Sequence, residues 1–259
     1  MSAMSYDFQG RTALVTGGAS GMGQATALAF AEAGANVVVA DVAVEGGKET
    51  VATIEQAGGH AVFVPTDVAD AAAVEALVHE AVSTYGSLDF AMNGAAIENE
   101  TGPLAECPDA VFDRMISVNL KSVFLCLKYE IRAMARNGQR GGAIVNIAST
   151  NAFRPQPNQP AYTASKHGVL GLTRAAAMDY AAAGIRINAV CPGAIETPML
   201  MGAIEARGRD PQEVADRLSL LQRFGQPSEI ARAVLWLCSE ESSFTVGHAL
   251  AVDGGYLAR

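Results

Sequence analysis

The residues best suited to chemistry in this chain are Tyr162, Lys166 and Ser149. Tyr162 and Lys166 are four residues apart, and Ser149 lies thirteen residues before the tyrosine. If the segment is helical, the phenol and the ammonium lie on one face about one turn apart. A cation so close favours the phenolate and is expected to lower the phenol pKa from its ordinary value of about 10. Tyr162 could then act as a general acid and base, with Ser149 as a neutral donor to a substrate oxygen.

The spacing alone has a simpler explanation. A tyrosine and a lysine four residues apart occur often by chance, as an exposed helix with the ring packed beneath the lysine stem. The chemical interpretation therefore depends on whether the chain also supplies a site for a hydride carrier.

Length and composition indicate one compact α/β domain spanning 1–259, with a substrate lid around 198–220. Half of the 259 residues are hydrophobic and 17% are charged, so the chain can bury a sizeable core. The formal net charge is −9. Nucleic acid and anionic membrane surfaces are therefore not expected as partners, because both require a basic face.

The cysteines and the N-terminus indicate a cytoplasmic protein without a metal site. The four cysteines are far apart and form no Cys-x-x-Cys pair, so neither a zinc site nor a disulfide framework is predicted. No cationic-then-apolar leader is visible. No apolar run approaches the roughly 18 residues of a membrane span.

A glycine-rich turn follows the first predicted strand. The apolar run 12–16 ends at Gly17, Gly21 and Gly23, and a helix is predicted over 25–33. Strand, glycine turn and helix form a cradle for a pyrophosphate, which binds at the positive end of the helix. A P-loop is excluded because no Gly-Lys-Ser/Thr follows. An ordinary turn between strand and helix is the alternative.

Asp41 indicates the kind of dinucleotide. It ends the apolar run 36–40, eighteen residues after Gly23. A carboxylate at this strand end can accept hydrogen bonds from the adenine ribose hydroxyls and repels a 2′-phosphate. No Arg or Lys stands at position 20 or directly after Asp41. NAD is therefore favoured over NADP, unless Asp41 merely begins a loop.

Strands and helices alternate along the whole chain. Further strands are predicted over 61–64, 88–96, 143–147 and 185–190, with helices between them. This pattern predicts a Rossmann-type, doubly wound parallel sheet of about seven strands with helices on both faces. Ligands bind at the carboxyl ends of such strands, where Asp41, Asp67 and Ser149 fall.

The chain contains, in this order, the motifs Thr16-Gly17-x-x-x-Gly21-x-Gly23, Asp67-Val68, the Asn93 segment, Asn119, Ser149, Tyr162-x-x-x-Lys166, Pro192-Gly193 with Thr197, Arg223 to Pro227, and Val252-Asp253-Gly254-Gly255. With these motifs it resembles the short-chain dehydrogenases/reductases in their single-domain form, over essentially its whole length. The family's usual Asn-Asn-Ala-Gly reads Asn93-Gly94-Ala95-Ala96 here.

The resemblance implies a role for each matching residue. Tyr162 transfers the proton, Lys166 lowers its pKa and binds the nicotinamide ribose, and Ser149 orients the substrate oxygen. Asn119 holds a relay water. The implied contacts to NAD are Gly17, Ser20, Gly21, Met22, Gly23, Asp41, Val42, Asp67, Val68, Asn93, Gly94, Tyr162, Lys166, Pro192, Gly193, Ile195 and Thr197, the last two binding the nicotinamide carboxamide.

The predicted activity is NAD-dependent interconversion of a secondary alcohol and a ketone. The methionines and leucine of 198–204 predict an apolar pocket, which favours a medium-sized apolar or cyclic substrate, diols included. The alternative is that the lid and the segment between Ser149 and Tyr162 are plain loop surface. The predicted substrate contacts are Ser149, Asn151, Phe153, Gln159 and Met199, with Gln156 as a further candidate.

Other functions remain open at this point. A 3-oxoacyl-thioester reductase and a sugar dehydrogenase are rivals within the family. Asp41 and the net charge of −9 count against the first, since those reductases mostly use NADP and a basic docking patch. A non-catalytic NAD-sensing protein is the rival of another class. The resemblance also implies a homotetramer that pairs through the helices 117–135 and 163–182 and the C-terminal strand.

Overall fold

The computed structural model describes residues 6–98 and 102–258. Its seven strands form one parallel sheet. The strands are β1 (Thr12–Thr16), β2 (Asn36–Asp41), β3 (His60–Pro65), β4 (Phe90–Asn93), β5 (Gly142–Ile147), β6 (Ile185–Pro192) and β7 (Ala249–Val252). Their spatial order is β3-β2-β1-β4-β5-β6-β7. The order reverses between β1 and β4, which opens a crevice at the carboxyl ends of these two strands.

Helices connect the strands. They are α1 (Gly21–Glu32), α2 (Val44–Gln56), α3 (Ala71–Tyr85), α4 (Asp109–Ile116), α5 (Ser122–Met134), α6 (Pro160–Tyr180), α7 (Pro198–Ala206), α8 (Pro211–Leu218) and α9 (Pro227–Cys238). A π-helical turn, Ser117–Lys121, joins α4 to α5.

Alternate residues of each central strand belong to two separate cores. Val37 and Val39 pack with Phe30 and Val234 on one face of the sheet. Val38 packs on the other face with residues from α3, α5 and α6. Because both faces are covered, the strands have continuous apolar sequences instead of an alternating pattern. The predicted doubly wound sheet is confirmed.

The main differences from the sequence prediction concern the ends of elements. The strand predicted over 88–96 is only Phe90–Asn93, because the backbone leaves the sheet at Gly94. One of the helices predicted between the strands is interrupted by the π-helical turn. Within the described ranges, no helix combines the length and apolarity needed to cross a membrane.

Candidate active site

Tyr162 and Lys166 lie in the first turns of α6. Pro160 opens this helix, a position where its missing N–H costs nothing. Lys166 is almost fully buried, and its Nζ lies 5.6 Å from the centre of the Tyr162 ring. The ammonium donates a hydrogen bond of 2.9 Å to the backbone oxygen of Ile147, at the end of β5. The predicted pairing of phenol and ammonium on one helix face is therefore present.

The electrostatics of this pair differ from the sequence prediction. Burial raises the pKa of Tyr162 above its ordinary value, and the nearby charge of Glu98 raises it further, whereas a hydrogen bond with Ser149 lowers it. Burial lowers the pKa of Lys166 to about 8, against the opposing effects of Cys191 and Glu98. The expected lowering of the Tyr162 pKa is wrong, because burial and Glu98 outweigh the stabilisation of the phenolate.

Ser149 follows β5 directly and reaches the same site. Its side chain is nearly buried and shares a hydrogen bond with Tyr162. Its Oγ also accepts a hydrogen bond of 3.1 Å from the backbone N–H of Asn151, which leaves the hydroxyl proton to be donated. A serine fixed in this way can hold a substrate oxygen beside the phenol.

Asn119 lies in the π-helical turn and is fully buried. Its Oδ1 accepts from the backbone N–H of Ile97 at 2.8 Å, and its Nδ2 donates to the Ile97 oxygen at 2.9 Å. A weaker contact of 3.5 Å reaches Ser165 on α6. Asn119 therefore ties the loop after β4 to the tyrosine helix, and π-helical turns are frequent at functional sites.

A groove, here called the glycine groove, runs along the carboxyl ends of β1, β2 and β4. Its glycine turn requires glycine: Gly17 and Gly21 have φ of +73° and +55°, and a Cβ at Gly23 would overlap the carbonyl of Gly17. The predicted cofactor contacts that line this groove are Gly17, Ser20, Gly21, Met22, Gly23, Asp41, Val42, Asp67, Val68, Gly94 and Thr197.

The turn holds Asp41 in place at the groove. Its Oδ2 accepts from the Ala19 N–H at 3.0 Å, and its Oδ1 accepts from the Ala43 N–H at 2.9 Å. Arg114 also lines the groove, but its guanidinium lies 3.8 Å from the carboxylate of Asp67. The groove therefore presents a fixed carboxylate at the end of β2.

Some predicted cofactor contacts do not line the glycine groove. The Asn93 side chain points into the core, where it donates to Glu130 and Asn146, both at 3.0 Å. Ile195 packs against Gly225. Pro192 ends β6 in the buried interior.

A second cavity, here called the tyrosine cavity, is lined by two of the catalytic candidates, Ser149 and Tyr162. Ser149, Asn151, Gln156, Gln159, Tyr162 and Gly193 line it. Two predicted substrate contacts lie elsewhere: Phe153 is 45% exposed and is absent from the lining, and Met199 lines the glycine groove. Consecutive residues line the glycine groove and the tyrosine cavity at two places. Ile97 and Met199 line the groove, and the residues that follow them, Glu98 and Leu200, line the cavity.

A chain of hydrogen bonds links lining residues of the tyrosine cavity. Asn151 Nδ2 donates to Gln159 Oε1 at 2.6 Å, and Gln159 Nε2 donates to the carboxylate of Glu98. Arg207 Nη2 lies 3.4 Å from the same carboxylate. The sequence analysis missed Glu98 and Arg207, because neither belongs to a motif with a recognisable spacing.

Residues 198–218, here called the α7–α8 segment, cover this cavity. Thr197 caps α7 through the Leu200 N–H at 3.3 Å. Leu200, Ile204, Val214 and Leu218 supply the apolar lining that the sequence predicted, but Arg207, Arg209 and Arg217 of the same segment also line the cavity. The pocket is therefore more polar than expected.

The sheet topology, the glycine groove and the tyrosine cavity together define a Rossmann-type oxidoreductase that binds a nicotinamide cofactor. The family model described as enoyl-(acyl carrier protein) reductase matches residues 17–257. A short chain dehydrogenase/reductase of Aspergillus oryzae is 43% identical, over 96% of this chain and 96% of that protein. The chain belongs to the short-chain dehydrogenase/reductase family.

Two further proteins are similar over almost their full length. Cis-4-hydroxycyclohexanecarboxylate dehydrogenase of Sinomonas cyclohexanicum is 43% identical, over 98% of this chain and 100% of that protein. The crystal structure of levodione reductase superposes with a TM-score of 0.92 at 36% identity, covering 97% of this chain and 99% of that one.

Proposed function

We propose that this protein is an NAD-dependent oxidoreductase that interconverts a secondary alcohol and a ketone, with a medium-sized cyclic compound as substrate. The observation that carries the proposal is the meeting of Ser149, Tyr162 and Lys166 beside a cavity whose lining residues adjoin those of the glycine groove. A proton donor and acceptor thus lies next to a space suited to a dinucleotide.

The groove fits NAD in two respects. Its glycine turn packs too tightly on the neighbouring backbone for side chains at Gly17 and Gly23, and the N-terminus of α1 attracts phosphates. The fixed carboxylate of Asp41 can accept from both ribose hydroxyls and disfavours a 2′-phosphate. The bound cofactor would supply hydride chemistry to this site: uptake of hydride in alcohol oxidation and its return in ketone reduction.

The protein's own residues manage the proton. In the oxidation direction Ser149 donates to the substrate oxygen and the Tyr162 phenolate takes the hydroxyl proton. In the reduction direction the phenol returns this proton to the oxygen. Lys166, whose pKa is lowered to about 8 by burial, lies over the ring with its Nζ 5.6 Å from the ring centre.

Two observations support a cyclic substrate. The apolar side chains Leu200, Ile204 and Val214 line the tyrosine cavity, where a saturated ring can pack. One of the similar proteins is named for a hydroxycyclohexane substrate. We propose that the α7–α8 segment acts as the lid over this ring.

The experiment is a search for activity by the absorbance of newly formed NADH. The purified protein is given NAD or NADP with cyclic, open-chain and sugar secondary alcohols at mildly alkaline pH. The proposal expects turnover of cyclic alcohols with NAD. Turnover confined to sugars, or reduction confined to 3-oxoacyl thioesters, would contradict the proposed substrate; NADH binding without turnover of any compound would favour the regulatory alternative.

A further inference from the structure

The α7–α8 segment is anchored to the rest of the fold at both of its ends. Before the segment, the Glu196 N–H donates to the Gly225 oxygen at 2.8 Å, and after it the Leu220 N–H donates to the Gly254 oxygen at 2.8 Å. A Cβ at Gly254 would overlap the Ser219 side chain, so the second anchor is also closely packed. Any movement of the segment therefore takes place between two fixed points.

The segment itself depends on contacts with the rest of the fold. Its helices α7 and α8 have nine and eight residues, and helices of this length are marginal on their own in water. Of its residues, only Ile204, Val214 and Ala215 are buried. Elements with so few buried contacts are the ones that open locally. The contacts that hold the segment against the fold therefore decide how often it opens.

An ion pair joins the middle of the segment to the opposite wall of the tyrosine cavity. Arg207, at the C-terminus of α7, places its Nη2 3.4 Å from the carboxylate of Glu98. Only 31% of the Arg207 side chain and 15% of the Glu98 side chain are exposed. A pair shielded in this way is screened less by salt and water than a pair on the open surface.

The Glu98 end of this pair belongs to a fixed part of the site. Gln159, which precedes the first residue of α6, donates a hydrogen bond to the Glu98 carboxylate. Asn119 binds the backbone oxygen and N–H of Ile97, the residue before Glu98, at 2.9 and 2.8 Å. The ion pair thus connects a weakly packed segment to the wall that carries Tyr162.

The segment also borders both ligand spaces. Pro198 and Met199 at its start line the glycine groove, and Leu200 and Ile204 line the tyrosine cavity. Closure of such a segment over bound ligands excludes water, and the ligands leave only after it reopens. The strength of its attachment to the opposite wall is therefore expected to affect release.

We infer that the Arg207–Glu98 ion pair is a latch, which holds the α7–α8 segment closed over bound ligands and breaks before they leave. The inference rests on the proposed function, because it describes how that same site opens. Arg207 is accordingly a positioning residue. It acts on ligand release through the segment and takes no part in proton transfer.

The test measures opening and release separately. Hydrogen–deuterium exchange of the 198–218 amides reports opening in the protein alone. Displacement of bound NADH, followed by its fluorescence, gives the release rate. Arg207→Gln is expected to raise both rates about tenfold, the effect of losing one hydrogen bond between charged groups, with exchange of the sheet amides unchanged. Arg207→Lys keeps the charge and should stay within about threefold of the wild type.

Glu98→Gln breaks the latch from the other side. Both single variants remove the same interaction, so the double variant Glu98→Gln/Arg207→Gln should be no faster than the faster of the two. Lys48→Gln is the matched control: it breaks an ion pair of 3.2 Å with Glu45 on α2, outside the glycine groove and the tyrosine cavity, and should change neither rate. Thermal unfolding checks each variant; if Arg207→Gln does not fold, Glu98→Gln provides the same test.

The outcomes separate the latch from the proposed function. Unchanged exchange in both single variants, or effects that add in the double variant, would overturn the latch and leave the proposed function standing. Faster exchange with unchanged NADH release would also overturn it, because the pair would then stabilise the segment without controlling release. Failure of the wild type to bind NADH would contradict the proposed function, while the exchange rates would still show whether the ion pair holds the segment closed.

Discussion

At the scale of single residues, Glu98 affects the pKa of the proton-transferring phenol although it belongs to no sequence motif. Its charge is one of the two causes that raise the pKa of Tyr162, after burial. It also receives a hydrogen bond from Gln159 and pairs with Arg207. Glu98 thus links the proton-transferring phenol to the α7–α8 segment.

We expect Glu98→Gln to move the pH dependence of alcohol oxidation toward lower pH. Oxidation requires the phenolate, so kcat/KM rises with pH as Tyr162 loses its proton. Removing the negative charge lowers the pKa of Tyr162, and the same rate is then reached at a lower pH. The measurement is kcat/KM against pH for the two proteins. Glu205→Gln, an exposed position on α7, is the control; a shift of equal size in that variant would contradict this role of Glu98.

Asp41 gives a second prediction at this scale. Asp41→Asn keeps the size of the side chain and one of the two oxygens that accept from the Ala19 and Ala43 N–H groups, but it removes the charge facing a 2′-phosphate. The ratio of kcat/KM with NADP to that with NAD is expected to rise about tenfold, which equals about 1.4 kcal/mol. Glu45→Gln, an exposed neighbour that does not line the glycine groove, should leave the ratio unchanged. An unaltered ratio in the Asp41 variant would show that other residues select the cofactor.

At the scale of elements, a buried polar cluster joins β4, β5, α5 and α6. Asn93 donates to Glu130 and to Asn146, and Asn146 donates to Thr173 at 2.9 Å. Glu130 is fully buried, and burial raises its pKa from 4.5 to about 7 despite the opposing bond from Asn93. Its Oε1 and the Oδ1 of Asn93 have no hydrogen-bond partner. A protonated Glu130 supplies a donor to this cluster.

Glu130 is therefore expected to make stability depend on pH. Below pH 4.5 both folded and unfolded states hold the proton, but between pH 4.5 and about 7 only the folded state does. The free energy of unfolding falls as pH rises through this window, by about 3 kcal/mol at about 1.4 kcal/mol per pKa unit. Glu130→Gln imitates the protonated form, so it should match the wild type near pH 5 and be more stable at pH 8.

The check is thermal unfolding of wild type and Glu130→Gln at both pH values and equal protein concentration. A difference between the two proteins that stays constant from pH 5 to pH 8 would contradict a titrating Glu130.

The elements show how far the sequence predicts this structure. The sheet was predictable because both of its faces are buried, which leaves long apolar runs ending in glycine or a polar residue. Tyr162, Lys166 and Ser149 were predictable because their spacing is local or lies at a strand end. The resemblance placed Asn93 at the cofactor, but its side chain points into the core. Glu98 and the three cavity arginines depend on how the α7–α8 segment packs, which no local spacing reveals.

At the scale of the whole molecule, we propose that the protein is a homotetramer, as is common in its family. Phe124 on α5 is 50% exposed and Met178 on α6 is 85% exposed, on the two helices expected to pair. Large apolar side chains on a surface favour burial between subunits. Static light scattering should give four times the chain mass of 26.8 kDa. A mass of a single chain at micromolar concentration would contradict this proposal.

The measurement that tests the central claim most directly compares NADH formation by the wild type and Tyr162→Phe, with a cyclic secondary alcohol that the wild type oxidises. The variant keeps the aromatic ring and loses only the proton-transferring oxygen. We predict that kcat falls at least about 100-fold, while NADH binding, followed by its fluorescence, stays within about twofold because the glycine groove is intact. Tyr85→Phe on α3, outside both cavities, should retain full activity. Activity of Tyr162→Phe close to that of the wild type would contradict proton transfer by this residue, and with it the proposed mechanism.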